Sequence, residues 1–234
     1  MVKPDYMENS GSCVNCKAKS HLFRLLSKQE LEIMDKSRCQ VKYNAGETIR
    51  KQGAHLSHVI SVTGGLCKMY LEGMESRNII LRIIRPTSFI GGPGLYADFR
   101  HHFTVTALKD TTVCFIDTNI FKEVMLMNEA FAQEFMQDMS KNMIAVYNRI
   151  ISLTQKQMPG RIADALLYLS DEIFESRSFE MILSKQDLAD FTKMSKDSVS
   201  RVLKSFNGDK LIDLSEKSIE ILDYEKLSRI SSTG

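Results

Sequence analysis

The sequence predicts an α+β chain in three parts: an N-terminal antiparallel β-roll of the double-stranded β-helix or jelly-roll type, a long helix, and a C-terminal winged helix-turn-helix. Three observations carry that prediction. Short β-branched runs separated by glycines fill residues 41–117, an apolar stripe at heptad spacing follows, and two short capped helices with an adjoining hairpin close the chain. At 234 residues the chain is long for one simple core, so two folded domains are expected. The predicted divisions are an arm over 1–21, the roll over 22–128, the long helix over 129–158 and the winged domain over 159–234.

The strand signals are Val59-Ile60-Ser61-Val62, Leu66-Cys67-Lys68-Met69-Tyr70-Leu71, Asn78-Ile79-Ile80-Leu81-Arg82-Ile83-Ile84 and Thr112-Val113-Cys114-Phe115-Ile116. Gly46, Gly53, Gly64-Gly65, Gly73, Gly91-Gly92 and Gly94 punctuate them and are expected to supply the positive φ that tight turns need. Regularly spaced short strands argue for a closed roll.

The texture changes near Asn119. Ala132, Met136, Met139, Met143, Val146, Ile150 and Leu153 follow at alternating steps of 4 and 3. That average of about 3.5 residues places one narrow stripe on one face, as a two-stranded coiled coil requires. A helix over 132–157 would be roughly 39 Å long at about 1.5 Å per residue, too long to bury against one small roll, so the stripe is read as a homodimer seam. Pro159-Gly160 is expected to end this helix, because proline disfavours helical geometry in the residue before it.

In the last 74 residues, Ser184 is a cap candidate with Asp187 three positions on. After the turn Thr192-Lys193-Met194, Ser195 caps a second helix whose Val199, Val202, Leu203 and Phe206 face inward. Its outward face carries Lys196, Asp197, Ser200, Arg201 and Lys204. Arginine can chelate guanine's two major-groove acceptors, an acidic group can accept from cytosine, and serine can meet a base or a phosphate. Lys193, Lys196 and Lys204 suit phosphates. Leu211-Ile212-Asp213-Leu214 and Ile219-Glu220-Ile221-Leu222 read as the wing. This region holds 11 Lys and Arg against 14 Asp and Glu, so positive charge is concentrated on the second helix rather than spread. Ser184, Lys196, Asp197, Ser198, Ser200, Arg201 and Lys204 are the candidate DNA-binding residues, and double-stranded DNA is the expected partner.

With 43% hydrophobic and 26% charged residues, the composition is that of an ordinary globular protein, and the net charge of +2 favours no partner by itself. No run approaches the roughly 18 apolar residues that cross a bilayer, and Met1-Val2-Lys3-Pro4-Asp5-Tyr6 lacks the apolar core of a secretory signal. No membrane partner is therefore expected, and the cytoplasm is the expected compartment. Five cysteines there need not pair. No catalytic constellation is present; Cys13-Val14-Asn15-Cys16 is not followed by the βαβ pattern of a thiol oxidoreductase, and no enzymatic activity is expected.

The order of parts resembles the CRP/FNR family of bacterial transcription regulators over nearly the whole chain. The resemblance is carried by Gly46-Glu47-Thr48-Ile49 with Gly53, Phe89-Ile90-Gly91-Gly92-Pro93-Gly94-Leu95-Tyr96, Gly160-Arg161-Ile162-Ala163, and Ser195-Lys196-Asp197-Ser198-Val199-Ser200-Arg201-Val202-Leu203-Lys204. It implies a homodimer on palindromic DNA, a small-molecule effector at the roll, and contact with RNA polymerase if the chain is an activator. The family's base-contacting positions fall on Asp197, Ser200 and Arg201. The family's cyclic-nucleotide pocket maps onto Gly91, Gly92, Gly94, Leu95, Arg100, His102 and Phe103. There the glutamate position holds Gly92, the arginine position His102 and the next Phe103, which argues against cAMP.

The FNR branch holds an iron–sulfur cluster on an N-terminal cysteine group plus one distant cysteine, here matched by Cys13, Cys16 and Cys114. A third N-terminal cysteine is missing, with His21 and Cys39 the nearest substitutes. A cluster or zinc ion on Cys13, Cys16, His21 and Cys114, a redox pair of Cys13 and Cys16, or simply reduced thiols all stay open. His55, His58, His101 and His102 leave haem as a further alternative. A regulatory module whose C-terminal domain meets a protein instead of DNA is the competing reading.

Overall fold

The computed structural model describes residues 6–7 and 12–234; the rest of the arm, including the charged start of the chain, lies outside them. The chain divides into two compact units, Met1–Glu72 with Arg82–Met143, and Gly73–Leu81 with Ile144–Gly234. Among the described residues no helix is long and apolar enough to cross a membrane.

Among the described residues the first unit contains α1 (Lys28–Lys36), α2 (Thr118–Met127) and the strands β1 (Tyr6–Met7), β2 (Arg38–Tyr43), β3 (Thr48–Arg50), β4 (His58–Gly64), β5 (Cys67–Leu71), β6 (Ile79–Ile84, which starts in the second unit), β7 (Phe89–Ile90), β8 (Thr104–Ala107) and β9 (Thr111–Asp117). They form a five-stranded sheet, β1-β2-β9-β4-β7, and a four-stranded sheet, β3-β8-β5-β6. This is the predicted jelly-roll.

Strand alternation explains how it packs. Val41, Ile60, Val62, Val113 and Phe115 point from one sheet toward Ile49, Cys67, Met69, Val105 and Ala107 of the other, forming one apolar core. The neighbours between them, Gln40, Ser61 and Cys114, are aligned across β2, β9 and β4 and face outward. A second core covers part of that outer face. Phe23, Phe89, Phe121, Phe131 and Phe135 meet there, with Phe89 stacked on Phe121 at 5.0 Å between ring centroids. Each fully buried ring contributes about 1.5–3 kcal/mol by area.

Of the punctuating glycines, Gly46, Gly53, Gly65 and Gly92 take positive φ; Gly64, Gly73, Gly91 and Gly94 do not. Gly94 is glycine for a different reason: a Cβ there would strike the Arg100 carbonyl.

The long helix, α3 (Glu129–Gln155), begins where the sequence places it but stops before Pro159-Gly160. The proline sits instead in the first turn of α4 (Met158–Tyr168), where its missing N–H costs nothing. Gly160 packs against the Gly234 backbone.

After a π-helical turn at Leu169–Phe174 come β10 (Ser178–Glu180), α5 (Lys185–Thr192), α6 (Lys196–Gly208), β11 (Ile212–Leu214), β12 (Ser218–Ile221) and α7 (Tyr224–Thr233). The predicted wing hairpin is β11–β12, joined by β10 into a three-stranded sheet. Neither β10 nor α7 carries a pattern long enough to read from sequence. Ile162, Leu166, Leu188, Phe191, Val199, Val202, Phe206 and Leu227 are buried in this unit's core.

Candidate nucleic-acid interface

Two caps set α5 and α6. Ser184 accepts from the Asp187 N–H at 3.0 Å while the Asp187 carboxylate accepts from the Ser184 N–H at 3.1 Å, a reciprocal capping box. Ser195 accepts from the Ser198 N–H at 3.1 Å and starts α6. Lys193, between them at φ 52°, turns the chain in the left-handed region. Val199, Val202 and Phe206 then hold α6 to the core, with Leu203 half-buried.

That packing leaves Lys196, Asp197, Arg201 and Lys204 exposed, with Ser198 and Ser200 half-buried among them and Ser184 exposed at the start of α5. Arg201 Nη2 donates to Ser198 Oγ at 3.3 Å, and Ser195 Oγ donates to the same hydroxyl at 2.9 Å. One terminal nitrogen of the guanidinium is thus held by Ser198 while the side chain as a whole stays exposed. Lys193 is differently placed, its ammonium donating to the Arg77 carbonyl at 3.5 Å. An exposed helix of this length, bearing a guanidinium, a carboxylate and flanking ammonium groups, has the dimensions and donors that a major groove accepts.

Sequence reasoning missed one cation nearby. Arg149 of α3 lies 3.7 Å above the Phe191 ring, and its Nε and Nη2 are buried without hydrogen-bond partners. Burial lowers its pKa to about 10.

The stripe residues on α3 do not share one environment. Ala132 and Met139 pack against the aromatic core, and Val146 and Leu153 are half-buried. Met136, Met143 and Ile150 are exposed, joined by Ile144, Tyr147 and Ile151, which the heptad reading left off the stripe. The free apolar face is therefore wider than the predicted seam and centred nearer its C-terminal half.

In the glycine-rich turn, Gly92 takes φ 74° and the Phe103 ring fills the space beside it. Leu95 is buried, Gly91 abuts Phe89 and Phe135, and Gly94 abuts the Arg100 backbone. Arg100 Nη1 donates to the Gly53 carbonyl at 3.1 Å, and His102 pairs with Asp98 at 3.0 Å. Next to them His101 is 2% exposed, with neither ring nitrogen hydrogen-bonded. Burial, with Arg50 and the neighbouring histidines, pushes its pKa down to about 4.

The unfolded chain takes up a proton on this ring near pH 6.5 and the folded chain only near pH 4. The stability His101 confers by staying neutral is complete above pH 6.5 and is lost as pH falls through about 4. Urea titrations should show His101→Leu losing less stability than the native chain across that window, by on the order of 1–3 kcal/mol. Equal losses would place the acid sensitivity elsewhere.

The neighbouring Cys13 and Cys16 and the distant Cys114 share one cavity of about 480 Å³ on the outer face of the five-stranded sheet, lined also by Arg38, Gln40 and Ser61 among others. Arg38 Nη1 donates to Cys114 Sγ at 3.5 Å, and the Cys13 N–H donates to Asp35 at 3.1 Å. Burial, reinforced by Asp35, pushes the Cys13 thiol up to about 12, and burial also raises Cys114. His21 is not with them. Its Nε2 lies 3.0 Å from Asp138 and 3.7 Å from Glu134 on α3.

Two family models match this sequence. The cyclic nucleotide-binding domain matches residues 40–128 and the Crp-like helix-turn-helix domain residues 160–230, together about two thirds of the chain. Electron transport regulator A of Shewanella oneidensis is 25% identical over 193 residues, covering 81% of this chain and 77% of that protein. The Anaerobic regulatory protein of Bacillus subtilis (strain 168) is 23% identical over 203 residues, 85% of each. Among solved structures, FixK2 from Bradyrhizobium japonicum shares the fold with a TM-score of 0.77 at 16% identity, covering 84% of this chain and 98% of that one.

The chain belongs to the CRP/FNR family of transcription regulators. It is a DNA-binding regulator built on a cyclic-nucleotide-binding-like roll.

Its two family-type pockets differ from the groups the family implies. For a four-ligand iron–sulfur cluster the thiol cavity offers three cysteines. His21 is drawn to α3, and Cys39 packs toward the core between the sheets, on the other side of β2 from Arg38 and Gln40. Among the described residues no fourth thiol or imidazole lines that cavity, so the residues do not fit such a cluster. For a cyclic phosphate, the Phe103 ring lies where a polar partner is needed, and that does not fit either.

Proposed function

We propose that two copies of this CRP/FNR regulator pair through the exposed apolar face of α3 and set their α6 helices into successive major grooves of a palindromic site. The exposed cationic face of α6, on a helix capped and packed from behind, is the observation that carries the reading. Arg201 and Asp197 read bases, Ser200 supports them, and Lys196 and Lys204 hold phosphates. The β-roll biases the dimer between two arrangements of these helices, and an activating form would also touch RNA polymerase. The competing reading, a C-terminal domain that docks on a protein, leaves the base-reading chemistry of α6 without a use. The test is selection from a pool of random duplexes by the full chain under reducing conditions. An inverted repeat should be enriched; enrichment of no motif would refute DNA reading by α6.

The three-thiol cavity favours a redox signal over a cyclic nucleotide. Hydrogen peroxide would take two electrons and two protons from a pair of these thiols, giving a disulfide and two waters. Cys16, half-buried where Cys13 and Cys114 are buried, is the accessible member. Peroxide treatment should then change DNA affinity in the native chain and not in Cys16→Ser; an equal response in both would remove Cys16 from the signal.

A further inference from the structure

His21 was expected beside the cysteines, and its true neighbours suggest a separate site. Its Nε2, a Glu134 oxygen and an Asp138 oxygen all lie within 4.8 Å of one another. Glu134 and Asp138 are four residues apart on α3, which puts both carboxylates on one face. Like charges at that spacing repel, and the only cation paired with them besides His21, among the described residues, is the exposed Lys141, 3.8 Å from Glu134. One imidazole and one distant ammonium are an incomplete answer to two converging carboxylates.

Each donor is also held from behind. His21 precedes Leu22 and Phe23, Glu134 precedes Phe135, and Asp138 precedes Met139, and all four of these apolar residues pack in the aromatic core. The three donors are therefore displayed by fixed backbone, while their own side chains stay 53%, 28% and 23% exposed and open to water.

We propose that His21, Glu134 and Asp138 bind one divalent transition-metal cation. One imidazole nitrogen and two carboxylate oxygens suit manganese, iron, cobalt, nickel or zinc, with water filling the remaining positions. Magnesium and calcium, which take all-oxygen shells, gain nothing from the imidazole and are the poorer fit. The bound cation fastens the segment carrying Cys13 and Cys16 to the start of α3, since His21 closes that segment. The site is independent of how α6 reads DNA, and its failure would leave that reading untouched.

Manganese is the discriminating probe, because it is a poor partner for thiolates. The full reduced chain is titrated with Mn²⁺ alone, and free Mn²⁺ is read by electron paramagnetic resonance. Saturation at one Mn²⁺ per chain is expected. His21→Asn and Asp138→Asn should each weaken binding by about tenfold or more, with circular dichroism unchanged, and the double variant Cys13→Ser, Cys16→Ser should bind as the native chain does. Absence of saturable binding would reduce the cluster to an ion pair. Binding indifferent to His21→Asn, or lost in the cysteine variant, would equally overturn the site.

Discussion

Replacing Arg201 with alanine is expected to abolish sequence-specific DNA binding while leaving the fold intact. The side chain is exposed, and its one recorded partner is Ser198 at 3.3 Å, so nothing in the core depends on it. On DNA, a guanidinium forked onto guanine discriminates by about 1–3 kcal/mol per contact. With two copies on a palindrome, as proposed, the combined loss is about 2–6 kcal/mol, roughly 30-fold to 10⁴-fold in affinity. Arg201→Lys should recover little, because an ammonium keeps the charge and loses the fork. Lys204→Ala, by contrast, should weaken specific and non-specific duplexes alike and flatten the salt dependence. Mobility shifts on the selected duplex and on a scrambled one separate these outcomes. Undiminished specificity in Arg201→Ala would show that another surface reads the sequence.

The second large effect is on assembly. Met143 and Ile150 are 53% and 54% exposed, in a face shared with Ile144, Tyr147 and Ile151. Contiguous exposed apolar surface of this kind marks an interaction site. Changing both Met143 and Ile150 to glutamate would put four carboxylates into the proposed two-fold interface, yet touches little that the single chain buries. Sedimentation should fall from about twice the chain mass of 26.6 kDa to that mass. DNA affinity should collapse with it, since a lone domain keeps only half of the contacts. A variant that still sediments as a dimer would move the interface off this face.

Where the chain's periodicity is long and its caps are local, the sequence is legible. α6 follows from Ser195 and the i, i+3, i+7 burial of Val199, Val202 and Phe206; β4, β6 and β9 follow from β-branched runs, and β5 from its alternation. What escaped depends on distant partners. Pro159 reads locally as a stop, but its place in the first turn of α4 makes it a start. Cys39 and His21 are the nearest substitutes after Cys16 in sequence, yet strand parity turns Cys39 to the inner core and helix α3 captures His21. No local pattern announces that Glu134 and Asp138 will meet a histidine more than a hundred residues earlier. The heptad count found the exposed Met136, Met143 and Ile150 but missed Tyr147, because Phe131 and Phe135 commit the start of α3 to the roll and shift its free face.

In the proposed complex, two copies joined along α3 read one duplex through two α6 helices. Hydroxyl-radical footprinting of the full chain on its selected duplex tests this most directly. Two protected half-sites on one side of the DNA, centred about 10–10.5 base pairs apart or a multiple of that, with two chains bound per duplex, are predicted. A single protected half-site with one chain bound would contradict it.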